Sequence, residues 1–305
     1  MLNVLFDEAE ALRRFDKLVD LGIMRYMATS ASAHIDDGFP YTIRVCNSWA
    51  HKPAVVGAST SNGTEEAPET FGPGSDINNS HPDQTVGQLN DTHLVILNIF
   101  PAVRPQYLLL TLDSYRSQYE PLQYEDISAS WTFLHSLEVP HVALYNCTPS
   151  GGCSRVHKHV QVLPYPVASE QSVDEESFRL FPDNSNGNVR VPYTHFLHRF
   201  DNQSARKSRQ TSREVFDIYT KLLNQAKQCL EFAAGDTSTP CPHNVILVKN
   251  WILVIPRRAE NKSGFMTNGL GMMGNIVTSN AEQAQKWLDK GVSAALAECG
   301  IPPQA

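Results

Sequence analysis

The densest chemical signal in the chain is the run Gly151-Gly152-Cys153-Ser154-Arg155-Val156-His157-Lys158-His159-Val160-Gln161-Val162. Read as a strand, its side chains alternate between two faces. His157, His159 and Gln161 then share one face, and Val156, Val160 and Val162 share the other, with Lys158 as its single polar member. Imidazoles and amides buried in a row without partners are costly, so this pattern suits a place where something polar is gripped. A neutral imidazole is a competent nucleophile at neutral pH and also shuttles protons. Its second nitrogen, donating to a backbone carbonyl, fixes the tautomer and aims the lone pair. Gln161 can donate an amide proton to a bridging or leaving oxygen. The glycines ahead of the strand let backbone approach closely, and successive N–H groups can cup phosphate oxygens, with Arg155 adding charge. A nucleophile beside a phosphate cradle is what phosphoryl or nucleotidyl transfer requires.

Blander readings compete. A lone H-x-H can be two surface histidines or half of a metal site. Cys153 with His157 and His159 mimics zinc ligation, but no fourth ligand stands at the usual spacing, so no metal site is expected. A purely structural role ranks between metal binding and catalysis.

The elements that position this run are readable from periodicity. Apolar residues at helical spacing predict a helix over 5–21, stopped at Gly22. Residues 41–46 alternate as a strand, and 57–90 read as a long polar, flexible loop rich in Gly, Ser, Thr, Asn and Pro. The runs 93–100 and 106–112 predict a hairpin, followed by a helix over 124–137 with Glu125 and Asp126 near its positive end. Strands follow at 141–146 and 155–163, and a polar loop at 167–190. A helix at 213–233, a hairpin of 244–248 with 251–255, and a last amphipathic helix at 281–298 complete the reading. Hairpin-linked strands mixed with helices indicate an α+β fold with a mostly antiparallel sheet flanked by helices.

The chain has 305 residues, 41% of them apolar and 19% charged, enough for a substantial core in one large domain or two small ones. Its net charge of −7 argues against gripping DNA or RNA by their phosphates. The longest apolar runs are too short or interrupted to span a bilayer, and the first residues lack the charged start and apolar stretch expected of a signal peptide. Six scattered cysteines without a C-x-x-C pair are expected to be reduced thiols. No membrane partner is expected, and the location is read as cytoplasmic, compatible with entry to the nucleus.

H-x-H-x-Q after a Gly-Ser turn resembles the histidine-triad superfamily, in the branch shared with galactose-1-phosphate uridylyltransferase. The similarity extends through SWAHKP (48–53), HLVILNIFPAVRPQYLLLT (93–111), YEPL (119–122), YNCTPSGGCSRVHKHVQ (145–161) and NVILVKNWILVIPRR (244–258). Their order and spacing resemble the fungal-type diadenosine tetraphosphate phosphorylases, also called ATP adenylyltransferases. The resemblance covers nearly the whole chain, implying one histidine-triad-like nucleotidyltransferase domain over 1–305 with an adenylyltransferase-type portion from about 190.

It also implies a two-step reaction. His159 attacks an α-phosphate of diadenosine tetraphosphate and expels ATP, and inorganic phosphate then takes the adenylyl group as ADP. The resemblance assigns His157 and Gln161 to orienting phosphate oxygens. Asn146 and the turn of Gly152, Cys153, Ser154 and Arg155 become the phosphate cradle. Lys52 supplies charge to the polyphosphate. Asn90, Asp91, Asn268, Gly269 and Leu270 fall where the family holds a nucleotide. Read alone, Lys52 is a solvated lysine, Asn146 a strand end, and Asn268-Gly269 a turn. No tightly bound cofactor is implied, while a divalent cation, magnesium or manganese, on the substrate phosphates is compatible with the charge. The partners implied are nucleotides (diadenosine polyphosphates, ATP, ADP, AMP) and inorganic phosphate.

Two departures stand out. Arg155-Val156 occupy places that usually hold a small or polar residue. Near the C-terminus the family's Gly-Met pair and following lysine align with Asn275 and Ser279, beside Met272 and Met273, so the distal phosphate grip is altered. Acceptor and polyphosphate length therefore stay open. A hydrolase, a transferase to sulfate or a sugar phosphate, and a nucleotide-binding sensor without catalysis are the alternatives. DNA end-processing is opposed by the acidic balance.

Overall fold

The computed structural model describes residues 6–29, 31–51, 77, 81–166, 179–184, 189–200, 210–231, 240–258, 265 and 267–303. Strands β1 (Ala31–Asp36), β2 (Phe39–Val45), β3 (Thr85–Leu89), β4 (His93–Leu97), β5 (Tyr107–Thr111), β6 (His141–Cys147), β7 (His159–Pro164), β8 (Phe196–Arg199), β9 (His243–Leu247), β10 (Trp251–Pro256) and β11 (Asn275–Thr278) form two sheets. Helices are α1 (Glu8–Asp20), α2 (Tyr124–Ser136), α3 (Ser212–Cys229), α4 (Gly269–Met272), α5 (Ala281–Lys290) and α6 (Val292–Cys299). The large sheet has the order β3-β4-β5-β7-β6-β9-β10-β8 and is antiparallel at every pairing, while a small sheet β1-β2-β11 pairs its last strand parallel.

Each face of the large sheet buries its own core. Val160, Val162, Val245, Leu247 and Ile252 pack with Phe15, Phe133 and Tyr219 of α1, α2 and α3. Leu144, Leu163, Ile246, Leu253 and Ile255 pack with Tyr41, Ile43, Met272, Trp287 and Leu296 from the small sheet and α4, α5 and α6. Cover on both faces explains why residues 244–248 and 251–255 read as continuous apolar runs rather than alternating ones. Burying each large apolar side chain contributes roughly 1.5–3 kcal/mol before entropy is counted.

Helix starts follow capping chemistry. Asp7 accepts from the Glu10 N–H, and Thr211 with Glu214 forms a capping box at α3. Gly22, at φ +70°, sits just past α1 as expected. The 281–298 helix is in fact two helices, broken at Gly291 with φ +81° and recapped where the Ser293 N–H donates to Asp36. The expected loop over 57–90 yields at its described end to a short turn and β3, which pairs with β4. Four short strands (β1, β3, β8 and β11) and α4 carry too few apolar residues in sequence to announce themselves. Among the described residues no helix is long and apolar enough to cross a membrane.

Candidate functional site

The C-terminal ends of β5, β6 and β10 and the N-terminal ends of β4, β7 and β9 converge at one end of the large sheet. His159 opens β7 there, buried to 6% exposure. Its Nδ1 lies 2.8 Å from the His157 carbonyl. A carbonyl only accepts, so Nδ1 carries the proton and the neutral ring has its lone pair on Nε2. This is the tautomer a nitrogen nucleophile needs.

The strand starts later than expected, at His159 rather than Arg155. Beyond Leu110↔His159 the β5 ladder gives one more bond, from the Thr111 N–H to the Lys158 carbonyl, after which Ser117 pairs with His157. The two histidines are therefore not equivalent members of one strand face. His157 is locked to Thr111, its Nε2 lying 2.9 Å from the Thr111 carbonyl and 3.0 Å from the Thr111 hydroxyl.

Gln161 follows on β7, and its amide orientation is fixed by a neighbour. The Ala102 backbone N–H donates to Gln106 Oε1 (2.9 Å), so Gln106 Nε2 must be the donor to Gln161 Oε1 (2.9 Å). The amide nitrogen of Gln161 remains as the donor it presents.

Asn146 stands one residue before the end of β6, and its amide is oriented in the same way. Its Oδ1 accepts from the Gly269 N–H (2.9 Å) and from Asn244 Nδ2 (2.8 Å), which leaves Nδ2 as the donor it offers. Asn244 also donates to the Gly151 carbonyl (2.6 Å) and accepts from Arg257 Nη1 (2.7 Å). Arg257 is fully buried and reaches the Thr267 and Cys299 carbonyls as well, so a guanidinium lies directly behind the glycine turn.

That turn is tighter than expected. The N–H groups of Gly151 and Cys153 donate to the Thr148 carbonyl and that of Gly152 to Pro149. Three of the N–H groups expected to cup phosphate are thus consumed inside the turn, because the short helical turn over Pro149–Gly151 closes on itself at left-handed Gly152 (φ +85°). An anion would be met from Ser154 onwards, where the Arg155 guanidinium already donates to the Ser154 carbonyl. Gly152 must be glycine: a Cβ there would stand 2.5 Å from the Thr267 carbonyl oxygen. Cys153 is buried beside it.

The same packing brings Asn268, Gly269 and Leu270 to the cradle. Asn268 is not in a turn; its side chain caps α4 by accepting from the Leu270 and Gly271 N–H groups. Asn90 and Asp91 form the β3–β4 hairpin turn, both at positive φ, at the same end of the sheet. The Asn90 amide donates to Ser128 of α2 (3.4 Å), and no described hydrogen bond links either residue to His159. Lys52 lies outside the described residues. Asn275 is buried and accepts from Thr42, Ser279 donates to Gln283, and Met272 and Met273 are core residues. Among the described residues no group of three or more His, Cys, Asp or Glu side chains is placed to hold a metal ion.

Sequence reasoning did not nominate Thr111, Gln106, Asn244 or Arg257. Each acts through a neighbour, and only Asn244 and Arg257, polar residues in and just after apolar strand runs, left a visible mark.

An oriented imidazole beside a glycine turn, at one end of an antiparallel sheet, is a site built for nucleophilic chemistry on an α+β scaffold. The family model of the Ap4A phosphorylase N-terminal domain matches residues 8–175, and that of the ATP adenylyltransferase C-terminal domain matches 189–302. The chain belongs to the Ap4A phosphorylase family. It is 26% identical to Protein APA1 of Saccharomyces cerevisiae over 320 aligned positions, covering 95% of this chain and 92% of that protein. It is 26% identical to diadenosine 5',5'''-P1,P4-tetraphosphate phosphorylase 2 of the same yeast over 234 positions, covering 69% and 70% of the two. The crystal structure of yeast Ap4A phosphorylase Apa2 in complex with AMP superposes with a TM-score of 0.75 at 20% identity, over 100% of this chain and 99% of that one. The same enzyme in complex with Ap4A gives 0.73 at 22% identity, over 98% and 100%. At these identities the structural likeness is one of fold.

Proposed function

We propose that the protein cleaves diadenosine tetraphosphate with inorganic phosphate, giving ATP and ADP by way of a nucleotide carried on His159. His159 Nε2 attacks an α-phosphorus; a P–N bond forms, the P–O bond to the bridging oxygen breaks, and ATP leaves. A phosphate oxygen then attacks the adenylyl-histidine, the P–N bond breaks, and ADP departs with His159 restored. The observation that carries this reading is the 2.8 Å hydrogen bond from His159 Nδ1 to the His157 carbonyl. It sets the tautomer and stabilises the positive charge that grows on the ring as Nε2 bonds to phosphorus. The Gln161 amide, held by Gln106, donates to the leaving oxygen. Asn146 Nδ2 and the Ser154–Arg155 segment hold the equatorial oxygens, and the buried Arg257 charge biases the pocket toward anions. Lys52 is assigned to the polyphosphate, and Asn90 and Asp91 to part of a nucleotide. A divalent cation would enter on the polyphosphate as part of the substrate. The family, and relatives named for this activity, support the substrate.

The test is product analysis with diadenosine tetraphosphate, with and without inorganic phosphate. ATP plus ADP should form only with phosphate, and wild-type protein quenched under alkaline conditions should carry one adenylyl group. His159→Ala should carry none while still binding AMP, because the cradle is built from other residues. ATP plus AMP without phosphate would replace the acceptor by water. An adduct on His159→Ala would remove His159 as nucleophile.

A further inference from the structure

The β6–β7 ladder runs from His141↔Pro164 to Leu144↔Gln161 and then stops. Two residues on, the same register would set Asn146 opposite His159, the two residues assigned to phosphate and nucleophile. The ladder does not extend to pair them. The side chain of Gln118 lies between them instead. Its Nε2 donates to the Asn146 carbonyl at 3.0 Å and to the His159 carbonyl at 3.2 Å, and its Oε1 accepts from the His159 N–H at 2.7 Å. A primary amide thus replaces a peptide group in the ladder. Gln118 is 1% exposed, and its own backbone is tied down: its N–H donates to the Val156 carbonyl (2.6 Å), and its carbonyl accepts from the Tyr145 hydroxyl (3.0 Å). The flanking Arg116 carbonyl accepts from the Lys158 N–H (2.9 Å), and the Pro121 carbonyl accepts from Lys158 Nζ (2.8 Å). The segment 116–121 therefore grips the H-x-H run from both ends.

We propose that Gln118 is a positioning residue for nucleotidyl transfer: as a wedge between β6 and β7, it sets the gap between His159 and Asn146, and so the distance from the nucleophile to the phosphate it attacks. Two paired strands would close to about 5 Å between Cα atoms. Inserting an amide opens that spacing where a phosphorus must fit between the ring and the Asn146 side chain. The wedge also holds the His159 backbone by both its N–H and its carbonyl, which fixes the origin of the side chain. Gln118 touches no reacting atom. Its effect falls on the chemical step, because misplacing a nucleophile by about 1 Å costs on the order of 100-fold. The inference rests on His159 being the nucleophile.

The experiment compares wild type, Gln118→Asn and Gln118→Glu in single-turnover formation of the adenylyl adduct from diadenosine tetraphosphate, alongside AMP affinity and thermal unfolding. Asparagine keeps the amide but is one methylene too short to reach both strands. The adduct rate should fall roughly 100-fold with AMP affinity changed less than about three-fold. Glutamate keeps the volume but, once ionised, presents an acceptor to two carbonyls. Its adduct rate should therefore fall as pH rises, through a step that wild type lacks, so the question survives even where the asparagine variant does not fold. Folded variants with wild-type adduct rates would overturn the wedge. So would losses in which AMP affinity and rate fall together. Wild type forming no adduct would instead overturn the nucleophile reading, and the wedge with it.

Discussion

At the scale of single residues, the site depends on amides whose orientation is set by something that can only donate. The Ala102 N–H settles Gln106, Gln106 settles Gln161, and the Gly269 N–H settles Asn146. A single break reverses what the last member presents. Gln106→Leu keeps a similar volume but leaves the Ala102 N–H and Gln161 Oε1 without their partner. Gln161 is then able to turn its oxygen toward the oxygen that the proposed reaction expels, where two acceptors would meet. We expect kcat to fall roughly 10- to 100-fold, in the range of one lost preorganised donor, with KM changed less than three-fold. Steady-state kinetics on diadenosine tetraphosphate with phosphate checks this. A rise in KM with kcat unchanged would place Gln106 in ground-state binding instead.

At the scale of elements, the H-x-H run is moored to α2 through the residue between its histidines. Lys158, the polar exception on the core face, is 1% exposed and reaches Asp126 at 2.7 Å. Asp126 also accepts from His93 on β4 (3.1 Å) and from the Gln123 N–H at the start of α2 (2.6 Å). Burial alone would push its carboxyl up, but the His93 hydrogen bond and the Lys158 charge outweigh it and hold it at about 2. Asp126→Asn would leave the buried ammonium only the half-exposed Glu120 carboxylate, 3.9 Å away, and should destabilise by about 3 kcal/mol in chemical denaturation. The double change Asp126→Leu with Lys158→Met removes both charges and should cost less than the single one; a double variant as unstable as Asp126→Asn would contradict the pairing. This mooring marks how far the sequence could be read. The H-x-H-x-Q run, the two apolar hairpins and the long helices were legible because local periodicity carries them. Lys158 was visible as an anomaly, but its partner lies 32 residues away on a helix, and no local pattern states such a pairing. Gln118 and Gln106 were invisible for the same reason, and β11 and α4 are four residues each, too short for any period to show.

At the scale of the whole molecule, the regions matched by the two family models share one sheet, and the seam between them passes through the site. β6 pairs with β9, setting Asn146 opposite Asn244 and Cys147 opposite His243. His243 is fully buried, bonded to the Cys241 carbonyl (2.8 Å) and the Tyr219 hydroxyl (3.2 Å), and burial pushes its imidazole from 6.5 down to about 4. The unfolded chain therefore binds a proton below pH 6.5 that the folded chain refuses until about pH 4. Stability that His243 contributes is complete above that window and is lost as pH falls through it, on the order of 3 kcal/mol in all. Burial lowers His141 and His195 as well, so they act in the same direction. Asp126 adds a second loss between its ordinary 3.8 and about 2. The unfolding free energy should therefore climb steadily from acid to near-neutral pH. His243→Asn, which keeps a donor for the Cys241 carbonyl but does not titrate, should be less stable than wild type at neutral pH and visibly flatter between pH 4 and 6.5. Urea denaturation across that range decides it. An unchanged slope in the variant would move the acid sensitivity away from the seam, where Gly151 of the glycine turn stands close to the His243 backbone.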